Sequence, residues 1–409
     1  MIKQKWQKNI IITLLFSTII FYFWKSGIIY SYSLYPIVKE GRLHIFADWA
    51  YVIKNTICNN LGFDIFKSHD ACPLFGKDNV IFNKGNILLY IPYFKSLEKF
   101  YFFYFPITIG IFFIFSVVSL IKPKKFVEYF LLILIIFSPP TLLVIERSNE
   151  DILIFLFIYI IAYVNLSSLN FIIITILSLA KWYPLTLMIN FVIEKERTIK
   201  HIIIIILFFI FSFAFIAYLT SENIQSINYK LKSYIPSWGN QFSVRSFALI
   251  TNKITDHGSN LILYTSYVFF VFFTTIFVKI FKKTNFVNDL NIINFEERLF
   301  ILGSNLIVLL YLITDNIHYR EVFIIFLLPL IVKIRYLFEN KIFKYLLYFI
   351  IYRYIFFIIA NYLVFFKKTY LLLYIKAFSD IILISSFAAM CLIMNIEILK
   401  KLIKYEKTF

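Results

Sequence analysis

Charged and amide side chains crowd into one short stretch of an otherwise apolar sequence. An arginine offers a planar fork that suits phosphate or carboxylate groups. Ionisable side chains at membrane depth are candidate functional groups, because burying them unpaired costs several kcal/mol. A helix start, capped by Ser148 or Asn149 with acids in its first turn, explains the same residues, and both interpretations can hold together. The stretch VIERSNEDILIFLF (144–157) carries Glu146, Arg147, Asn149, Glu150 and Asp151.

The segment ADWAY (47–51) supplies a candidate proton acceptor, Asp48. An amphipathic helical pattern predicts that this carboxylate lies against the membrane among Phe46, Trp49 and Tyr51. Partial desolvation raises the pKa of a carboxyl group toward the range in which it works as a general base. The alternative is a surface aspartate on an interfacial helix.

Three further polar groups stand at the ends of apolar runs. Lys181, in LAKWYPLTL, lies between two apolar half-helices, and it either faces a phosphate in a cavity or extends its ammonium to the membrane surface. The segments PSWGNQFSVRSF (236–247) and DNIHYRE (315–321) add amide, aromatic and guanidinium groups, the types that bind sugar hydroxyls and phosphate. Their candidate residues are Asn240, Gln241, Arg245, His318, Tyr319 and Arg320.

The cysteines predict one crosslink. Cys58 and Cys72 lie fourteen positions apart, and in an oxidising compartment a disulfide between them would stabilise the fold by about 3 kcal/mol. Two free thiols are the alternative. Cys391 falls in an apolar run, which favours a small buried side chain. The spacing of His69, Asp70 and Cys72 matches no standard zinc site, so no metal is expected.

The elements that must position these side chains are membrane helices. The 409 residues are 61% hydrophobic and 16% charged, whereas soluble domains carry about a quarter charged residues. Apolar runs of about 18 or more residues recur, each long enough to cross a hydrocarbon core of about 30 Å. The net charge of +18 could suggest nucleic acid, but Lys and Arg lie in short loops beside the apolar runs, where they set orientation. No nucleic-acid partner is expected.

The pairing of apolar runs with positive flanks predicts one integral membrane domain, 1–409, in the cytoplasmic membrane, with ten spans and both termini cytoplasmic. No small-residue cleavage site follows the first run, which predicts a retained anchor. Residues 30–99 form a large first external loop with interfacial helices, and 220–259 form a second external loop. The predicted spans are 10–29, 101–121, 126–143, 152–164, 202–219, 261–280, 299–313, 322–332, 345–364 and 370–394.

The segment 171–193 does not fit a straight span. Two apolar halves of about ten and nine residues flank KWYP (181–184), and each is about half a bilayer long. Pro184 lacks a backbone donor and breaks the helix. A straight span would place the basic EKERTIK outside, whereas a re-entrant hairpin keeps it cytoplasmic. The hairpin is favoured over the straight span.

With these residues and this topology, the chain resembles GT-C superfamily membrane glycosyltransferases, in the mannosyltransferase-like branch that uses polyprenyl-phosphate-linked sugars. Asp48 matches the position of the family's catalytic carboxylate. ERSNEDILIFLF is similar to the Arg-Gly-Asn-x-Asp stretch, with Ser148 in place of glycine. LAKWYPLTLM resembles the Lys-x-Tyr-Pro motif, and GNQFSVRSF the Asn-Gln-Ser segment, with Phe242 before Ser243. NIHYREVFIIFLLPL is similar to an outer-face Tyr-Arg element of related bacterial proteins.

The resemblance implies a GT-C-like fold and an inverting transfer of a sugar from a polyprenyl-phosphate donor to a glycan or lipid acceptor at the extracytoplasmic face. Asp48 is then the general base, and no metal or other cofactor is needed, because fixed cations balance one phosphate. The donor phosphate would bind Arg147, Lys181, Arg245 and Arg320. The remaining substrate contacts would come from Asn149, Asp151, Tyr183, Asn240, Gln241, His318 and Tyr319.

Other functions compete with this interpretation. A transporter or flippase of a lipid-linked or anionic solute also needs cations in the membrane, but on both faces for alternating access. A polymerase or ligase that uses a lipid diphosphate would lean on a loop rich in Arg and His, and the chain has only five His. A non-catalytic scaffold is a third alternative. The last three spans show nothing diagnostic, and the one-sided polar clusters favour the enzyme.

Overall fold

In the computed structural model, the described part of the chain is almost entirely helical. Its helices pack around apolar contacts, and one two-residue antiparallel bridge joins distant segments. The described residues are 2–25, 46–63, 65, 72–74, 85–164, 167–189, 203, 207, 210, 211, 214, 241–255, 260–284, 286, 294–313, 316–337, 341–367 and 370–406.

Thirteen α-helices are described. They are α1 (Ile2–Lys25), α2 (Ala47–Asn60), α3 (Phe105–Ile121), α4 (Phe126–Ile136), α5 (Pro139–Arg147), α6 (Asp151–Tyr163), α7 (Ser167–Ala180), α8 (Ser246–Thr255), α9 (Asn260–Lys282), α10 (Phe295–Ile313), α11 (Leu328–Leu337), α12 (Lys341–Lys367) and α13 (Tyr370–Glu406). A π-helical turn precedes α3 (Phe100–Tyr104), and the bridge pairs β1 (Gln241–Phe242) with β2 (Asn316–Ile317). Four 3₁₀ segments complete the set: Asn86–Tyr90, Lys95–Leu97, Tyr183–Ile189 and His318–Leu327.

Several helices have the length and apolarity of membrane spans, which agrees with the predicted class of helical membrane protein. Four single helices qualify within the described residues, and the bent pair α4 and α5 is a fifth candidate. This is fewer than the ten predicted spans, and most of the run 202–219 lies outside the described residues. The four single helices run over Phe100–Ile121, Leu261–Lys282, Lys341–Ala360 and Leu371–Ile398.

The predicted span 126–143 is bent in the structure, which divides it into α4 and α5 at an angle of 47°, and the pair together is still long and apolar enough to be one span. Two consecutive prolines, Pro139 and Pro140, begin α5. Proline is tolerated in the first turn of a helix but cannot donate a backbone hydrogen bond to the preceding turn. The break shortens α5, which ends at Arg147, the first cation of the candidate site.

A buried 3₁₀ segment, His318–Leu327, lies at the centre of the fold, although the sequence predicts an uninterrupted span at 322–332. Phe326 stacks on Phe155 of α6 with ring centroids 4.2 Å apart, and Phe155 meets Phe113 of α3 at 4.8 Å. Gly303 of α10 permits this packing, since a Cβ there would lie 2.6 Å from the Cβ of Phe326. The segment that carries Arg320 is therefore enclosed by other helices.

The predicted hairpin region contains a break at the expected place. Helix α7 ends at Ala180, Lys181 and Trp182 are non-helical, and the chain continues as the 3₁₀ segment that starts at Tyr183. Residues 190–193 lie outside the described part, so the direction in which the chain leaves stays a prediction.

Candidate functional site

The turn between α5 and α6 brings the polar residues Ser148, Asn149 and Asp151 together. Ser148 adopts a left-handed conformation (φ 44°, ψ 49°), which ends α5 and turns the chain. The backbone amide of Asn149 then donates to the carbonyl of Val144 at 3.2 Å. The Oδ1 atom of Asn149 accepts a hydrogen bond from the amide of Asp151 at 3.0 Å, so this residue stabilises the start of α6. The side-chain nitrogen of Asn149, Nδ2, is left to donate to a neighbouring residue.

That neighbour is Asp48, in the first turn of α2. The backbone amide of Phe46 donates to the carbonyl of Glu146 at 2.8 Å, which ties the start of α2 to the end of α5. Arg147 donates to Oδ1 of Asp48 from Nε at 3.0 Å and from Nη2 at 2.5 Å, and Asn149 Nδ2 donates to Oδ2 at 2.6 Å. Both oxygens of the candidate base are therefore held by donors.

The sequence-based expectation for the surroundings of Asp48 needs one correction. The carboxylate is largely buried, with 15% of the side chain exposed, but its partners are polar. Trp49 packs elsewhere and donates its indole N–H to the carbonyl of Tyr101 at 3.0 Å. The cause is the tie between α2 and α5, which brings Arg147 closer to the carboxylate than hydrophobic periodicity alone can predict.

Lys181 lies directly after the end of α7 and points at the start of α6. Its ammonium donates to Asp151 Oδ1 at 2.5 Å and to Asn149 Oδ1 at 3.2 Å, and it lies 3.3 Å from Glu150 Oε1. The side chain is 11% exposed. The structure therefore does not contain an extended lysine that reaches the membrane surface, and the partners of Lys181 are Asn149 and two carboxylates of the same cluster.

Asp151 is the anchor of the cluster. Its side chain is fully buried, and it accepts hydrogen bonds from Lys181 and from the hydroxyl of Tyr183. Arg320 Nε lies 3.5 Å from Asp151 Oδ2, and its guanidinium carbon lies 5.3 Å from the centre of the Tyr183 ring. Two facing cations favour the charged form of this carboxylate. Asp151 therefore holds the cluster together, whereas the sequence analysis assigned it to substrate.

These contacts make one polar cluster from four distant segments of the chain. It contains three cations and three carboxylates. Asp151 and Glu150 are sealed, with side-chain exposures of 0% and 3%. Arg147 and Arg320 keep 20% and 19% of their side chains exposed, and Asp48 and Lys181 keep 15% and 11%. The accessible members of the cluster are therefore net positive, which suits an anionic ligand.

The two later candidate segments lie side by side. The bridge pairs Gln241 with Ile317 and Phe242 with Asn316, directly before the 3₁₀ segment that carries Arg320. Arg245 is exposed beside this bridge. The predicted ligand contacts of four residues stay predictions, because Asn240 and the side chains of Gln241, His318 and Tyr319 lie outside the described part of the structure.

A crosslink and a close backbone contact hold the described parts of the segment between α2 and α3 next to the site. A disulfide joins Cys58 of α2 to Cys72, with Cα atoms 6.0 Å apart. The amide of Gly85 donates to the carbonyl of Ala180 at 3.1 Å, and a Cβ at position 85 would lie only 1.9 Å from the carbonyl oxygen of Leu179. Only glycine fits at this contact, which lies next to Lys181. Cys391 is free and buried, as expected.

The structure also contains a charged group that the sequence analysis missed, here named the buried ring. Glu321 accepts hydrogen bonds from Arg353 and, at 2.9 Å, from Lys376. Asp380 accepts from Arg353 Nε and from Lys376, each at 2.8 Å. All four side chains are at most 4% exposed. The signal was present, since three of them interrupt apolar runs and Lys376 stands four positions before Asp380.

The arrangement can bind an anionic group beside a carboxylate that accepts a proton. This chemistry follows from the residues of the chain and their contacts alone. Comparison with models of known protein families, with curated proteins and with solved structures found no significant match in any of the three.

Proposed function

We propose that this protein is a GT-C-type membrane glycosyltransferase. It transfers a sugar from a polyprenyl-phosphate donor to a hydroxyl group of a glycan or lipid acceptor, with inversion at the anomeric carbon. The observation that carries the proposal is the convergence of Arg147, Lys181 and Arg320 with Asp48 in one cluster, in which these four side chains stay partly exposed.

The charges fit the leaving group of this reaction. The bond between the anomeric carbon and the phosphate oxygen breaks, and both bonding electrons stay on the phosphate. Arg147, Lys181 and Arg320 stabilise this charge, and such stabilisation is typically the largest contribution in this kind of catalysis. Carboxylate partners hold Lys181 and Arg320 in place before the donor arrives, so these two cations need little reorganisation during the reaction.

The acceptor side of the reaction uses Asp48. The acceptor oxygen attacks the anomeric carbon from the face opposite the phosphate, and its proton passes to the carboxylate. In the ligand-free arrangement Arg147 and Asn149 hold both oxygens of Asp48. A carboxylate with both oxygens held is a weak base, so the proposal requires the donor phosphate to draw the Arg147 guanidinium toward itself.

The proposed topology keeps ten spans and the re-entrant hairpin at 171–193, with both termini cytoplasmic. Residues 30–99 and 220–259 then lie on the extracytoplasmic side of the inner membrane, and the cluster opens to the outer leaflet. The break after α7 and the bend between α4 and α5 flank the cluster, and broken helices at membrane depth are tolerated where they line a cavity.

A transfer assay tests the proposal. Purified protein in nanodiscs is supplied with radiolabelled polyprenyl-phosphate sugars and a panel of lipid and glycan acceptors. Asp48→Asn should lower the transfer rate by about 100-fold or more, since a positioned base contributes roughly 10²–10⁴-fold. The matched control is Glu98→Gln, an exposed acid of the same external segment, which should retain activity. Wild-type rates in Asp48→Asn would remove this residue from the mechanism.

The transporter alternative gains support from one observation, the buried ring, because ionisable residues inside membrane helices often line transport pathways. It predicts that liposomes containing the protein take up a lipid-linked or anionic solute without any covalent change. Uptake of intact donor without sugar transfer would favour the transporter over the enzyme.

A further inference from the structure

The buried ring is a closed cycle of alternating charge. Each acid is bridged by both cations, and each cation contacts both acids. Arg353 belongs to the membrane-length helix α12, and Lys376 and Asp380 belong to α13. The ring therefore fastens Glu321, at the start of the central 3₁₀ segment, to the last two long helices of the described chain.

Stability alone does not account for such a ring. Buried ion pairs lose their hydration, and replacing a complete pair by apolar side chains of similar size is often neutral or stabilising. A closed ring of alternating charges instead fixes the position of each charged side chain in it. In this ring the two oxygens of Glu321 are held by different helices, Oε2 by Arg353 and Oε1 by Lys376.

The segment that Glu321 belongs to needs such a fixed point. It extends over His318–Leu327 as a 3₁₀ helix, whereas runs of this type longer than three or four residues are uncommon because their hydrogen bonds are poorly aligned. Its residue Arg320 lies next to Glu321 and faces Asp151 of the cluster at 3.5 Å. A change of one residue in register would take Arg320 out of the cluster.

We infer that the buried ring is a positioning device for Arg320, in which Arg353, Lys376 and Asp380 hold Glu321 and thereby set the guanidinium against the donor phosphate. The inference rests on the proposed function. It assigns α12 and α13 a part in the transfer reaction, because their ring residues contact Glu321, the neighbour of Arg320 in the sequence. The three residues act through Glu321.

The first test removes half of the ring without leaving an unpaired charge. The double variant Lys376→Met/Asp380→Leu replaces one cation and one acid with apolar side chains and keeps the pair between Glu321 and Arg353. It should fold, and its kcat/KM per folded molecule should fall by about 100-fold, the loss expected from a misplacement of about 1 Å. The conservative variant Glu321→Asp should show a smaller loss.

A double-mutant comparison separates positioning from a merely structural role. In an Arg320→Ala background the ring variant should cause less than a threefold further loss, because the group that the ring positions is already absent. Losses that multiply in full, or wild-type kcat/KM in the ring variant, would overturn the inference. Glu297→Gln is the matched control, since it also removes the charge of a buried carboxylate, which is paired with Lys333 at 2.8 Å, but away from the ring.

A second measurement does not depend on activity. Hydrogen exchange of peptides covering 316–327 should be faster in the ring variant than in wild type and unchanged in Glu297→Gln, and unchanged exchange in the ring variant refutes the positioning. If wild type transfers no sugar from any donor, the proposed function fails separately. Binding of a polyprenyl monophosphate is then compared with binding of inorganic phosphate, which shows whether the ring positions Arg320 for a lipid phosphate or for a free anion. Equal binding by the ring variant and wild type would refute the positioning role of the ring.

Discussion

Asp151 and Asp48 make a contrast that tests how the cluster is built. Both carboxylates accept hydrogen bonds from cations, but the side chain of Asp151 is fully buried and that of Asp48 is 15% exposed. Removing one partner of a buried charge pair costs roughly 3–5 kcal/mol, because the remaining charge is left unpaired. In Asp151→Asn, Lys181 keeps its contact with Glu150 and Tyr183 keeps an acceptor oxygen, so the loss should be near the lower end, about 3 kcal/mol.

Asp48→Asn should cost much less stability. Its partner Arg147 is 20% exposed, and water can reach both groups after the substitution. The expected loss is about 1 kcal/mol, the usual net value of one hydrogen-bonded contact. Unfolding by SDS in mixed micelles gives the free energy of unfolding of each variant. Equal losses in the two variants, or a loss below about 1 kcal/mol for Asp151→Asn, would refute the assignment of Asp151 as the anchor.

Three further predictions concern single features. Ser148→Gly should stabilise the protein by about 1 kcal/mol in the same unfolding assay, since glycine adopts a left-handed conformation without strain, and Ser148→Val should destabilise it. Gly85→Ala should lower the free energy of unfolding by about 1–3 kcal/mol, because the methyl group of alanine would overlap the carbonyl oxygen of Leu179. Wild-type stability in this variant would contradict the close contact. Glu296 precedes the apolar run 299–313; burial raises its pKa, but its own backbone hydrogen bond and the charge of Lys122 leave the pKa below the ordinary 4.5. Its stabilising contribution is therefore present above pH 4.5 and lost as the pH falls through the lowered value, so wild type and Glu296→Gln should differ in stability at pH 7 and converge in acid.

Much of the cluster could be predicted from the sequence. Polar residues at the ends of apolar runs that share one membrane face are expected to meet, and Asp48, Arg147, Asn149 and Lys181 do so. The partners within the cluster could not be predicted. Whether a carboxylate faces an arginine or an aromatic ring depends on the distance between helix ends, and periodicity does not encode that distance.

The secondary structure of the apolar runs was harder to predict from the sequence. A run that is hydrophobic on all sides, such as 322–332, carries no periodic signal that separates a 3₁₀ segment from an α-helix. The buried ring was missed for a related reason. Arg353 and Lys376 are 32 and 55 positions from Glu321, so their pairing depends on how the last helices pack.

The two main-chain ties, from Phe46 to Glu146 and from Gly85 to Ala180, have a consequence for how this protein can diverge. Backbone contacts at two helix ends, with no side chain between them, set the distance between Asp48 and Lys181. A point substitution that removes one of the charges therefore leaves this distance unaltered, whereas Gly85→Ala would disturb it, because the added methyl group overlaps the carbonyl oxygen of Leu179. A relative that handles a wider or narrower ligand would have to rebuild one of those helix ends.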